Sequence, residues 1–384
     1  MENELTPPEL RPAPETMRFT GTGGEYFRIW IVNLLLSIVT VGIYSAWAKV
    51  RRLQYFYRST ELAGTGFEYH GKPMAILVGR VLAVLMLLIY KYSLTYSPAL
   101  GASVFLLLLL VSPWLFRSSL RFRLHNSSYR SLRFGFKGTL GGAYWATFFG
   151  FLMMILVGVA VAIAFAISKL IGTILIPIAG LLFFFVLYPA WYRAIKAYQH
   201  NGARYGQSAF SFHATLGQYS WIFFLTFAIL LGIGVVTGIL AGVLGSADLI
   251  ALPKPGEKPD PKAFAALAPL LGVFYIGVFL FIGPFFRARM DNLIWNSTRL
   301  GEHRIESRLS AWRLFGLYLT NLIGIVCTLG FFWPWAMVRL ARYRAESLTL
   351  IPAESLDKFV ASHDPETNAI GEEAFSVFDF DIAL

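Results

Sequence analysis

Very few residues in this chain have the type and spacing for chemistry, and most of those come in pairs. Asn33, Thr40 and Gly42 lie in one apolar stretch and return, without a gap, as Asn321, Thr328 and Gly330 in another. An amide inside hydrocarbon needs a hydrogen-bond partner across a helix contact or at a wet cavity. The set is therefore either the packing seam of two duplicated segments or the lining of a shared polar path. His125-Asn126 and His200-Asn201 form a second recurring pair. Neither has a metal-ligand spacing, and both fall where helices are expected to end, which favours capping over ligation. The phrases "FTGTGGEY" at 19, "FKGTLGGAY" at 136 and "FHATLGQY" at 212 each precede an apolar run. One glycine-rich phrase resembles a phosphate cradle, but three in this setting read as turns that start helices. Thr22 with Glu25, and Thr215 with Gln218, have capping-box spacing. No G-x-S-x-G, HExxH or carboxylate pair lies in an apolar stretch. The expectation is a protein that is not an enzyme and uses no metal or cofactor.

The elements that must position these residues are apolar. With 56% hydrophobic and 14% charged residues and a mean hydropathy of +0.59, the chain has too little polar surface to cover a soluble core of its size. Runs at 74–96, 99–116, 144–168, 170–191, 219–245 and 264–286 each approach the ~20 residues of a bilayer-spanning helix. The quoted pair, 29–48 and 314–337, is shorter. The net charge of +11 does not mark a nucleic-acid face, because the basic residues follow membrane runs. Arg51, Arg117, Arg193, Arg287 and Arg339 open these tails. Trp47, Trp114, Trp191 and Trp335 close the preceding runs, and Tyr55 and Tyr343 recur within the duplicated tails. Basic residues resist translocation and indole rings prefer headgroup depth, so this set is expected to anchor the cytoplasmic interface against anionic lipid headgroups. No nucleic-acid partner is expected, and the sequence is silent on oligomeric state. The segment 246–263, "SADLIALPKPGEKPDPKA", has balanced charge and is expected outside.

The repeated unit reads as a glycine-containing turn, a membrane part, a basic helix, a second turn, and a short aromatic strand such as Phe67 with Tyr69, Phe134 with Phe136, or Phe210 with Phe212. A repeat-built membrane domain is expected over 19–349, in units of about 19–71, 112–213, 212–308 and 309–349. It lies between a disordered tail, 1–18, and an acidic tail, 350–384. If 29–48 and 314–337 each crossed the membrane once, equivalent arginine tails would face opposite sides. If each dips in and returns near Thr40-Val41-Gly42 and Thr328-Leu329-Gly330, all tails share the cytoplasm; such backbone must be covered by protein or water. The expected fold class is an all-α polytopic membrane protein with internal repeats. It has six full transmembrane helices, two short re-entrant or spanning segments, and small cytoplasmic β elements between repeats. Eight spans is the alternative, and both termini are expected in the cytoplasm. No carboxylate lies within a full apolar run, which disfavours proton coupling by a buried acid.

The phrases "GIYSAWAKVRRLQYFY" and "NSTRLG", with F-x-G-T, resemble the YjgN family of bacterial inner-membrane proteins, and the similarity extends over nearly the whole chain. The resemblance implies a multi-pass protein of the Gram-negative inner membrane, of uncharacterised biochemical function and with no family catalytic residues to carry over. It leaves two readings open: a transport or channel-like protein for a small solute or lipid, and a non-transporting envelope protein that binds lipid or a partner.

Overall fold

The computed structural model describes residues 13–246 and 261–353. Helical hairpins alternate with β-hairpins along the chain. The strands are Glu15–Thr16 (β1), Arg18–Phe19 (β2), Thr60–Leu62 (β3), Thr65–Tyr69 (β4), Ser127–Tyr129 (β5), Leu132–Phe136 (β6), Ala203–Tyr205 (β7), Ser208–Phe212 (β8), Thr298–Leu300 (β9), His303–Ser307 (β10) and Leu348–Ile351 (β11). They make one antiparallel sheet in the order β1-β11-β10-β9-β8-β7-β6-β5-β4-β3-β2. Only Met17 separates β1 from β2, so the sheet closes on itself through the chain's own beginning. Glu15 pairs with Leu350 on one side of Met17, and Arg18 pairs with Glu61 on the other.

Closure is what makes such short strands viable. An isolated hairpin is marginal in water and leaves two hydrogen-bonding edges, whereas a ring of hairpins leaves none. Two-residue turns fit the twist of paired strands when both residues have positive φ; Ala63 and Gly64 (47° and 74°), and Arg130 and Ser131 (47° and 64°), meet that need. Alternation then sends Leu62, Tyr129, Tyr205 and Leu350 inward, packed with Met17, Phe67, Phe134, Phe210, Leu300 and Ile305.

Among the described residues, five helical hairpins rise from the ring. Three are long. Pro73–Tyr96 (α3) and Pro98–His125 (α4) join through Ser97 alone. Leu140–Ile167 (α5) joins Lys169–Leu182 (α6) through Ser168, and α6 continues by a π-helical turn, Phe183–Leu187, into Tyr188–Gly202 (α7). Leu216–Ser246 (α8) and Pro261–Asn296 (α9) form the third. The other two are short. Gly23–Val39 (α1) reverses at Thr40–Tyr44 into Ser45–Arg58 (α2), and Ala311–Cys327 (α10) reverses into Trp333–Glu346 (α11). Each returning helix packs on the next outgoing one, and α11 packs on α1, so the helices also form a closed ring, with the two short hairpins side by side.

Among the described residues, five helices, 73–96, 98–125, 140–167, 169–202 and 216–244, are long and apolar enough to cross a membrane. Leucine, isoleucine and valine side chains are widely exposed along them. This is a polytopic helical membrane protein.

Several expectations need correction. The strands are not separate small elements in an all-α chain but one continuous sheet. The run of helices 73–125 is a unit of its own, obscured because Lys72-Pro73 replaces the hydroxyl-bearing start, Thr or Ser, that marks the others; proline at the first helical position removes one of the N–H groups a cap would satisfy. Residues 15–16 and 18 of the expected amino-terminal tail, and 350–351 of the carboxy-terminal one, are in strands. The remainder of the carboxy-terminal tail from 354, and most of the 246–263 loop, lie outside the described residues.

Candidate functional site

The duplicated residues occupy matching places, but the side-chain hydrogen bonds they make stay within their own hairpins. Thr40 Oγ1 donates to Leu36 O at 2.7 Å and accepts from Tyr44 N at 2.9 Å; Thr328 Oγ1 donates to Gly324 O at 2.7 Å and accepts from Phe332 N at 2.8 Å. Val41 and Gly42 (φ 49° and 89°), like Leu329 and Gly330 (51° and 94°), carry the left-handed backbone that the reversal requires. Both tips are exposed, Val41 by 93% and Leu329 by 91%. Asn33 and Asn321 are buried. Asn321 Nδ2 donates to Ala336 O at 3.3 Å, and Arg339 donates to Asn321 Oδ1 at 2.8 Å, whereas Asn33 Oδ1 has no partner. The short hairpins meet through rings: Phe27 lies 5.0 Å from Trp335, whose ring closes over Gly23.

The basic returning helices act as clamps on the turns that start the outgoing helices. Arg117 Nε donates to Gly138 O at 2.7 Å, Arg193 Nε to Ala214 O at 2.6 Å, and Arg342 to Gly21 O at 2.8 Å, each reaching the following hairpin around the ring. Asn292 does the same for Leu309 through both its amide and its carbonyl oxygen. Tyr55 donates to Thr22 O at 2.8 Å and Tyr198 to Thr139 O at 2.9 Å, while Ser310 N donates to Tyr343. Thr22 with Glu25 forms a complete capping box, and so does Thr215 with Gln218. Those hydrogen bonds from Thr22, with one from Tyr55, hold the Glu25 carboxyl below its usual range.

The remaining aromatic and basic residues of the tails are placed individually. Trp191 donates to Ala146 O at 3.0 Å and Trp47 stacks with Tyr44; Trp114 is half-buried on α4. Arg51 lies over the Tyr44 ring, and Arg287 donates to Asp291 at 2.9 Å. Arg80 of α3 reaches Ser45 of the neighbouring hairpin.

Where the helix ring meets the sheet ring, a chamber of about 700 Å³ lies on their common axis. None of the six duplicated Asn, Thr and Gly residues lines it. Its wall comes from the last turns of the returning helices, and its floor from the inward side chains of the strands. Four residues before their strands, Phe56, Arg123, Gln199 and Arg344 occupy one tier of the wall. Arg52 lies one turn above, Asp291 lines the wall of α9, and Arg130 lines from the β5–β6 turn. Asp291 accepts from Arg287 and, at 3.5 Å, from Arg344. Gln199 is 6% exposed and its Oε1 has no partner. In the floor, Tyr205 donates to Tyr129 O at 3.0 Å and Tyr129 to Leu62 O at 2.7 Å, which lays the rings across the axis. Burial, reinforced by Tyr129, pushes the Tyr205 phenol up to about 12, so it stays a donor. The geometry suits binding: it offers apolar surface and fixed donors.

Sequence reasoning treated the basic tails that carry Arg52, Arg123 and Arg344 only as interfacial charge and missed the chamber. It also aligned His125 with His200. Strand register matches Ser127 to Ala203, so His125 corresponds to Asn201 and His200 to Leu124. His200 is accordingly a buried wall residue, hydrogen-bonded to Thr298 at 3.1 Å, and not an interfacial cap. The usable signal was distance to the next strand rather than residue identity. Among the described residues, no cluster of three or more His, Cys, Asp or Glu side chains could hold a metal ion.

Comparison with known proteins gives a family but no activity. The profile of a family described as "Bacterial protein of unknown function (DUF898)" matches residues 14–377. The inner membrane protein YjgN of Salmonella typhimurium is 26% identical over 361 residues, covering 86% of this chain and 87% of the relative. The inner membrane protein YjgN of Escherichia coli K12 is 33% identical over 156 residues, 39% of this chain and 37% of the relative. No solved structure matches.

Proposed function

The chain belongs to that family of bacterial proteins of unknown function, and from this premise we propose that it is an inner-membrane binding protein, not an enzyme, whose ligand occupies the axial chamber. In this reading α3–α4, α5–α7 and α8–α9 supply six spans, α1–α2 and α10–α11 re-enter the bilayer without crossing it, and the sheet ring lies in the cytoplasm with both termini. The exposed basic residues of the tails then face anionic headgroups. The observation that carries the reading is the chamber itself, which lies within the size range of small-ligand sites and has convergent polar groups over an apolar floor. Binding is favoured over passage along the axis because a cluster of inward side chains fills the sheet ring below the chamber.

Saturable fluorescence of a neutral naphthalene dye and of its sulfonated analogue tests the chamber. At least one should bind purified protein with 1:1 stoichiometry, and Ala203→Trp, which fills the chamber from β7, should abolish that binding. Absence of saturable binding by both dyes, or full binding in the filled variant, overturns the reading. A reporter active only outside the cytoplasm, fused after residue 384, tests the topology; activity there removes the re-entrant arrangement.

A further inference from the structure

We propose that the chamber's ligand is an uncharged aromatic compound bearing a hydroxyl or ring N–H, its rings laid on the aromatic floor and its hydrogen donated to the wall at Gln199 and His200. This rests on the chamber being a binding site.

Gln199 is 6% exposed and lines the chamber, yet its amide oxygen has no partner among the described residues. A buried acceptor without a donor costs free energy, which an occupant that supplies the donor recovers. His200, the next residue, also lines the chamber. Thr298 Oγ1 donates its one hydrogen to Ile294 O at 2.7 Å, so toward His200 Nδ1, 3.1 Å away, it can only accept. Nδ1 therefore carries a hydrogen, and in the neutral ring Nε2 is a lone-pair acceptor. Two consecutive side chains thus offer acceptors at one place in the wall.

The charges of the lining are already answered. Asp291 accepts from Arg287 and Arg344, Arg130 lies over the Tyr129 ring, Arg123 is engaged within the protein, and Arg52 is exposed to solvent. A charged ligand would lose its hydration in a partly enclosed site without a waiting counter-charge. A neutral donor avoids that cost.

The floor sets the ligand's shape. Phe67, Tyr129, Phe134 and Tyr205 form a patch of rings with neighbouring centroids 4.8–6.5 Å apart. Both phenol hydrogens are committed to backbone carbonyls, Tyr205 to Tyr129 O and Tyr129 to Leu62 O, so the patch offers ring surface. Offset or edge-on packing against such rings favours a planar aromatic body. A chamber of about 700 Å³ holds one such molecule of drug size.

The test is equilibrium dialysis of the full-length protein, in a nonionic detergent at neutral pH, against 2-naphthol, 2-methoxynaphthalene and 2-naphthoate. Ala203→Trp, with its chamber filled, is the blank for partition into detergent. 2-Naphthol should bind saturably and about tenfold tighter than either of the others, because only it is both neutral and a donor. Gln199→Met keeps the length of the side chain and removes an oxygen that bonds to nothing in the protein. It should bring 2-naphthol down to the affinity of 2-methoxynaphthalene and leave 2-methoxynaphthalene unchanged, which separates loss of the donor site from loss of the fold. Equal binding of 2-naphthol and 2-methoxynaphthalene to the parent protein overturns the donor requirement, and tighter binding of 2-naphthoate overturns the uncharged class; both leave the chamber reading intact. An undiminished preference for 2-naphthol in Gln199→Met overturns the placing of its hydroxyl at Gln199. Failure of all three probes while a naphthalene dye still binds overturns this inference alone, and failure of the dyes as well removes both.

Discussion

A cysteine scan across the hairpin tips probes the depth of the short hairpins. Outgoing helices α1 and α3 begin at the same distance from their strands, as returning helices α2 and α4 end. The comparison is 17 against 24 residues outgoing and 14 against 28 returning. At ~1.5 Å per residue the short tip therefore falls roughly 10–20 Å nearer the sheet. Averaged, that is about half of a hydrocarbon core ~30 Å thick. Val41→Cys, Leu329→Cys and Ser97→Cys, each with Cys327→Ser to remove the native thiol, are treated with a membrane-impermeant maleimide on spheroplasts and on inverted vesicles. Position 97 should label from the spheroplast exterior. Positions 41 and 329 should label at least tenfold more slowly from both sides, because thiols in hydrocarbon neither ionise nor meet the reagent. Labelling of 41 or 329 from the exterior at a rate close to that of 97 would refute the depth argument and, with it, the shared cytoplasmic side of all the arginine tails.

Other substitutions separate roles that look alike in sequence. Arg193→Ala strips the donor from the buried Ala214 carbonyl and should lower unfolding stability in detergent by about 1–3 kcal/mol, whereas Arg51→Ala, which lies over the Tyr44 ring, should cost about 0.5–1 kcal/mol; equal losses would contradict the clamp. A Cβ at Gly150 would stand 2.3 Å from the Trp191 ring. Gly150→Ala should therefore destabilise by about 1–3 kcal/mol, and a double-mutant cycle with Trp191→Leu should show coupling between the two positions. Tyr205, with its phenol raised to about 12 from an ordinary 10, favours the neutral form when folded. Its contribution to stability is complete below pH 10 and declines as pH rises towards 12, so Tyr205→Phe should flatten the alkaline fall in unfolding midpoint; an unchanged slope would remove Tyr205 as its source.

Much of the local structure was readable from the chain. The Thr-x-Gly phrases at 40–42 and 328–330 mark reversals, because a threonine hydroxyl can cap both sides of a turn and glycine accepts positive φ. The aromatic alternation at 67–69, 134–136 and 210–212 coincides with β4, β6 and β8. The hairpin at 73–125 was obscured because its start uses lysine and proline instead of a hydroxyl. Arg117 and Arg193 look like interfacial charges in sequence, and only their distances to Gly138 O and Ala214 O reveal clamps.

The sequence by itself determined that this protein lives in a membrane, and it marked 40–42 and 328–330 as candidate reversals and 67–69, 134–136 and 210–212 as extended. These properties follow from transfer of side chains out of water and from backbone preferences within a few residues. Only the tertiary structure decided that Glu15 pairs with Leu350, that five hairpins close into two stacked rings, and that Arg123, Gln199 and Arg344 share one tier of a chamber. Those relations join residues tens to hundreds of positions apart, and they are fixed by hydrogen-bonding edges that find no partner until the last strand meets the first.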